Sequence, residues 1–341
     1  MDKDFLLNFA KKILSIDSPS GFTKNIINLL EEECKMRNLS YEKNKKGNLI
    51  ISIKGTNDYT IGLSAHVDTL GAMIRSIKSD GTLAFTPIGG PILPTYDGEY
   101  CKVYTRDGKI YTGTFLSDAP AVHVFDNARS LTRDEKNMHV RLDEITKSKQ
   151  DTLKLGINSG DFIAVDPKTV ITDNGFIKSR FLDDKISVAI LFTLIDHLQK
   201  NKITPTNNLK LIISTYEEVG HGASSIPDVD ELIAVDMGCI GLDLNCTEYD
   251  VSICAKDGSG PYDFDITNEL INLSKELKLN YVVDIYPFYS SDVSAALRGG
   301  NNIKGGLIGP GVSASHGMER THYQAVEATL KLLIAYITKK L

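Results

Sequence analysis

The sequence predicts an α/β fold: a mostly parallel sheet with helices on both faces, interrupted by a small β-rich, barrel-like insert. Three observations lead there. Apolar, β-branched runs of strand length alternate with helical patterns in residues 1–70 and again in 176–341, the alternation of strands joined by crossover helices. Between them, residues 71–175 change texture to short alternating segments cut by Asp80-Gly81, Asp97-Gly98 and Asp107-Gly108, which are turn signals. A length of 341 residues accommodates two such units.

Taken in order, residues 4–13 carry Phe5, Leu6, Phe9 and Ile13 at helical spacing. A turn at Asp17-Ser18-Pro19-Ser20-Gly21 separates them from a second helix, 23–36, with Ile26, Ile27, Leu29 and Leu30 inward. Residues 49–53 and 60–65 read as strands, and His66-Val67-Asp68 stands directly at the end of the second. In the insert, 100–104 and 110–115 flank Arg106-Asp107-Gly108-Lys109 as a β-hairpin, and 161–165 is a further strand. The highly charged stretch 127–150 is compatible with a helix or a mobile loop. The α/β alternation then resumes. A broadly apolar helix over 185–198 follows Leu182-Asp183-Asp184. Strands are expected at 209–214, 231–235, 250–255 and 281–285, with an apolar glycine-rich stretch at 303–308. Helices are expected at 265–277, 292–298 and 323–339, with His316 in the loop before the last.

Composition excludes several function classes. Charged residues make up 24%, hydrophobic ones 42%, and the formal net charge is −6. With no basic block, nucleic acid is not an expected partner. The longest apolar run, 188–195, is too short to span a bilayer, and the mixed-charge start lacks the character of a signal peptide. The expectation is a cytoplasmic protein without a membrane partner. Five cysteines without a Cys-x-x-Cys motif argue against a disulfide framework or a structural zinc knuckle.

The chemistry-bearing residues gather at strand ends. Glu217 and Glu218 follow the apolar run 209–214, and paired acids there need solvent, a cation or a shared proton to compensate them. His66 and Asp68 end one expected strand and Asp236 another. In open α/β sheets the ligand crevice lies outside the carboxyl ends of the strands. Asp183, at the start of a helix, and His316, in a loop, are placed to reach the same edge. Such nitrogen and oxygen donors suit zinc, cobalt or manganese. Two ions about 3.5–4 Å apart would lower the pKa of a water and polarise a scissile carbonyl. One carboxylate must then move the proton instead of binding metal. Neighbours at a strand end point in different directions, which allows Glu218 to face the metals and Glu217 the water.

In order and context, His66-x-Asp68, Leu182-Asp183-Asp184-Lys185, Glu217-Glu218-Val219-Gly220, Val235-Asp236-Met237 and Ser315-His316-Gly317-Met318-Glu319-Arg320 resemble the M42 family of dinuclear metallo-aminopeptidases. The long interval between Asp68 and Asp183 also resembles that family, in which the second domain is inserted between these ligands. The resemblance implies a catalytic unit of residues 1–70 and 176–341, with 71–175 as an inserted domain that mediates subunit contacts. By the same resemblance His66, Asp183 and Asp236 hold one divalent ion, and Asp183, Glu218 and His316 hold the other. Glu217 is then the general base and acid. Asp68 accepts a hydrogen bond from the His66 ring, and Asp184 caps the helix it begins. The implied activity is removal of N-terminal residues from short peptides, by a homo-oligomer ranging from a dimer to a tetrahedral dodecamer. Rival readings are a two-metal deacylase or amidohydrolase on the same scaffold and a non-catalytic assembly protein.

Two departures from the pattern are Thr69, where many relatives carry an acid, and His221 after Glu-Glu-Val-Gly. Both bear on the shape and charge of the pocket. Lys256 to Asp263 and Ser290-Ser291-Asp292 read either as pocket-lining segments or as turns and a helix cap. His123, His139, His197 and His322 have no ligand-like context and read as structural or solvated.

Overall fold

Alternation within single strands shows how the molecule is layered. In the computed structural model, which describes residues 2–339, Leu211 and Ile213 pack into the main core while Ile212 points to a second cluster on the opposite face. Ile233 and Leu232 divide in the same way, as do Ile308 and Leu307. A strand sends successive side chains to opposite faces, so this division requires a sheet covered on both sides. Met1, Lys340 and Leu341, the outermost positions of the expected catalytic unit, lie outside the described residues.

The sheet has ten strands. Its centre is four parallel strands in the order Asn208–Ser214, Thr60–His66, Glu231–Val235 and Lys304–Val312. Leu49–Ile53 and Ser40–Lys43 extend one edge antiparallel, and Val251–Asp257 lies antiparallel on the other side, with Tyr281–Ile285 parallel beyond it. Helices Lys3–Leu14, Leu182–Asn201 and Tyr323–Thr338 pack on the face that holds the main core, and Val293 and Ala296 of Asp292–Arg298 pack on the other. Leu182–Asn201 is buried over 182–196, as the apolar run 188–195 at its centre demands.

Strands Gly71–Ile77, Leu83–Ile88, Met138–Leu142, Ile110–Ser117, Tyr100–Tyr104 and Phe162–Val165 close into a barrel. Closure removes the exposed strand edges that so short a sheet would otherwise present. The expected hairpin is present, with Tyr104 paired to Ile110 and Gly108 at φ +87° in the turn. Phe85 and Phe115 meet edge to face at 4.9 Å inside the barrel.

The charged stretch 127–150 is neither a long helix nor a structureless loop. It contains the barrel strand Met138–Leu142, and the Lys149–Lys154 helix begins only at its end. Met138, Val140 and Leu142 are buried while His139 and Arg141 face outward, so the charges masked a period of two. A small sheet of Val170–Ile171, Phe176–Ser179 and Glu319–His322 was also unforeseen. It pairs Ser179 with Glu319 and brings the segment before Asp183 beside the segment after His316.

Phe192 is fully buried and packs on Phe9 at a centroid distance of 5.0 Å. Phe192→Ala is expected to cost about 3–5 kcal/mol in urea unfolding. Ile145→Ala, at a side chain 94% exposed, is expected to stay within about 0.5 kcal/mol of wild type.

Candidate metal centre

Three parallel central strands end side by side, and each delivers acid or imidazole to the same edge. His66 is the last residue of Thr60–His66 and is the register partner of Ser214. Glu217 and Glu218 open a single 3-10 turn shortly beyond Ser214. Asp236 directly follows Glu231–Val235. Asp183 reaches this edge from the start of Leu182–Asn201, and His316 from the loop between Lys304–Val312 and Glu319–His322.

Asp183 lies between the two imidazoles. Its Oδ1 is 3.1 Å from His66 Nε2, and its Oδ2 is 3.5 Å from His316 Nε2. Glu218 Oε2 is also 3.5 Å from His316 Nε2. On the other side, Glu217 Oε2 and Asp236 Oδ2 are 3.7 and 4.0 Å from His66 Nε2. The sequence-derived residues thus converge on one cluster.

The charge in this cluster fits a cation site. Burial, reinforced by neighbouring carboxylates, pushes Asp184, Glu217 and Glu218 well above the usual carboxylate range. Asp236 rises to about 7 for the same reasons. Burial opposes protonation of both histidines, but the surrounding acids outweigh it. Asp183, Glu217 and Asp236 hold His66 well above its ordinary value, and Asp183 and Glu218 raise His316 to about 10. Burial would also raise Asp183, yet its two imidazole partners keep it well below the carboxylate norm. The acids raise the proton affinity of both imidazoles, the response of a site that favours positive charge. Glu218 Oε1 and Asp184 Oδ1 are buried without a hydrogen-bond partner, as donor atoms awaiting a cation would be.

Potential ligand atoms of His66, Asp183 and Glu218 lie within 4.8 Å of one another, and so do those of His66, Asp184 and Asp236. Asp184 is therefore a candidate the sequence reading missed. Instead of capping its helix, its Oδ2 accepts the His66 backbone N–H at 3.1 Å. The available signal was a second acid directly before a helix whose central run is apolar.

Asp68 also departs from expectation. The His66 Nδ1 partner is the Asp68 backbone carbonyl at 2.9 Å, and the nearest carboxylate oxygen is 3.6 Å away. The Asp68 carboxylate instead accepts the backbone N–H groups of Glu217 and Glu218 at 3.1 and 3.2 Å, and the Ser20 hydroxyl at 2.5 Å. It orients the acidic turn. Glu319 has the matching task across the site. Its carboxylate accepts the backbone N–H groups of Asp183 and His316, both at 3.0 Å. His316 sits at φ +63°, a left-handed conformation costing about 1–2 kcal/mol without such restraint. Its Nδ1 contacts the Gly90 carbonyl at 2.9 Å, so a segment leading out of the barrel strand Leu83–Ile88 orients one ring of the cluster.

The remaining singled-out residues lie elsewhere. Thr69 is buried and donates to the Leu70 carbonyl. His221 is exposed and stacks on Tyr216 at 5.0 Å. Asp263 caps the helix Phe264–Glu276, Lys256 and Asp257 end the strand Val251–Asp257, and of segments 256–263 and 290–292 only Ser290 is among the residues that border the cleft. His322 caps Tyr323–Thr338, and His139 pairs with Asp118. The cluster opens into a cleft of about 770 Å³. A separate groove of about 570 Å³ on the barrel, bordered by Lys102, Arg141 and Asp166, has none of these acids.

Comparison with known proteins identifies the family and the fold. The family described as M42 glutamyl aminopeptidase matches residues 47–332. The chain is 45% identical over 335 residues to the Bacillus subtilis protein named "Putative aminopeptidase YhfE", covering 97% of this chain and 96% of that one. Among solved structures, a TET aminopeptidase from the archaeon Thaumarchaeota archaeon SCGC AB-539-E09 superposes with a TM-score of 0.89 at 18% identity, over 98% and 96% of the two chains. The TET1 peptidase of Pyrococcus horikoshii, which can assemble into a tetrahedron or a large octahedral shell, gives 0.85 at 21% identity, over 98% and 100%. At these identities the two structures speak to the fold alone.

Two outcomes are expected. Chelation should lower the melting temperature, and restoring a divalent cation at about a hundredfold its Kd should return about 2.7 kcal/mol. Glu319→Ala leaves the Asp183 and His316 N–H groups without their acceptor, and should weaken metal affinity about 10–100-fold in calorimetric titration.

Proposed function

Because the chain belongs to the M42 glutamyl aminopeptidase family, we propose that it is a metal-dependent aminopeptidase that removes N-terminal residues from short peptides. The observation that carries this reading is Asp183, with one oxygen toward His66 and the other toward His316. A carboxylate so placed suits two neighbouring divalent ions, with His66 and Asp236 completing one site and Glu218 and His316 the other. Zinc or cobalt fits these donors best, with manganese as a further option. Bound there, the ions would polarise the scissile carbonyl and acidify water.

The chain's own residues do the rest. Glu217 borders the cleft and takes the proton from water at its carboxylate, then passes it to the departing amine. Burial, which raises its proton affinity, suits a group that must both accept and release a proton near neutrality. Asp68 acts through the turn by fixing the backbone from which Glu217 and Glu218 project.

We assign residues 1–70 and 176–341 to the catalytic domain and 71–175 to an inserted domain that carries subunit contacts. The tetrahedral assembly of the TET1 peptidase supports a homo-oligomer, from a dimer to a dodecamer. The described residues contain no helix long and apolar enough to cross a membrane. All five cysteines are free, which agrees with a reducing cytoplasm.

Glu217→Gln should lower kcat on aminoacyl amides by about 10²–10⁴-fold while metal content, read by plasma mass spectrometry, stays at two ions per chain. Glu218→Gln should instead reduce metal content. Full activity in Glu217→Gln would remove this residue from the mechanism. An absence of bound metal in active, metal-replete enzyme would sink the two-ion reading.

A further inference from the structure

Two unlike sets of residues border the cleft beside the cluster. One carries Asp183, Glu217, Glu218, Asp236 and His316. The other is apolar, built from Met237, Ile240, Leu244, Tyr286, Tyr289 and Val312. No lysine or arginine is among the described residues that border it. At its edge stand Leu242 and Phe288, 91% and 96% exposed. A scattered apolar side chain on a surface needs no explanation, but two bordering an apolar-walled cleft make a surface that gains from being covered.

A substrate bound for cleavage must place its scissile carbonyl near Glu217. Its first side chain then lies in the same cleft, among the residues outside the cluster. A carboxylate there would lose water and meet no cation in return. An ammonium would meet no acid beyond those already committed to the cluster. A large apolar side chain loses nothing and covers the exposed rim.

Resting on the aminopeptidase reading above, we propose that segments 237–244 and 286–289 form an apolar selectivity pocket. The enzyme then releases large apolar N-terminal residues, leucine, methionine and phenylalanine, and rejects glutamate and aspartate in spite of the family's description. Ile240, half-buried in the wall, and Leu242, at the rim, are the specificity-determining positions.

The test has a kinetic and a binding arm, both on metal-replete full-length protein. Across aminoacyl p-nitroanilides, kcat/KM for leucine should exceed that for glutamate by about 100-fold or more. In calorimetry, leucine hydroxamate should bind more tightly than glutamate α-hydroxamate. Ile240→Arg should shift the glutamate-to-leucine ratio upward by about tenfold or more in both arms. Leu242→Arg, at an exposed position that does not threaten folding, should shift it in the same direction. Equal affinities, a preference for glutamate, or no binding of leucine hydroxamate would overturn the pocket. If leucine hydroxamate is favoured but no aminoacyl substrate is hydrolysed, the pocket stands and the aminopeptidase reading falls.

Discussion

The structure depends on an electrostatic debt at one edge of its central sheet. Asp183, Asp184, Glu217, Glu218 and Asp236 crowd around His66 and His316 with little access to water. Such a concentration of acid is unfavourable unless positive charge is present, and the raised proton affinities of four of these carboxylates express that cost. Asp183 alone among the five has its proton affinity lowered, because it has both imidazoles as partners. The position with the strongest cationic surroundings is also the one placed to bridge two ions.

A site of this charge must be prevented from flying apart, and the chain does this through its backbone. Asp68 and Glu319 are buried acids that do not face the cluster's centre with free oxygens. Each gathers two N–H groups, Asp68 those of the acidic turn and Glu319 those of Asp183 and His316. Holding a ligand by its peptide nitrogen leaves its side chain available. These bonds fix the backbone of the ligands without placing a further carboxylate at the point of binding.

The barrel is also part of the site's support. Besides the Gly90 contact to His316, the Arg180 guanidinium donates to the Thr95 carbonyl at 2.7 Å and the Gly317 carbonyl at 3.2 Å. These bonds tie the loop that carries His316 to the Leu93–Tyr96 turn next to the barrel strands. Anything that displaces the barrel from the sheet therefore acts on one imidazole of the cluster.

The sequence by itself determined the α/β alternation, the change of texture at the insert, and the residues that meet at the sheet edge. Each of these follows from local chemistry. Short β-branched apolar runs such as 209–214 read as buried strands, and polar residues at their ends go where the strands end. It did not reveal the strand Met138–Leu142, whose outward charges hid its alternation, or the sheet that pairs Ser179 with Glu319, because pairing partners distant in sequence leave no local trace. Nor could it assign tasks among neighbouring acids. Asp68 and Asp184 were legible as members of the cluster's neighbourhood, yet whether a carboxylate meets an imidazole, a metal or a peptide N–H depends on differences of about an ångström in where the chain passes. Only the tertiary structure decides that, because hydrogen bonds and metal bonds select among candidates by distance and direction, and residue type supplies neither.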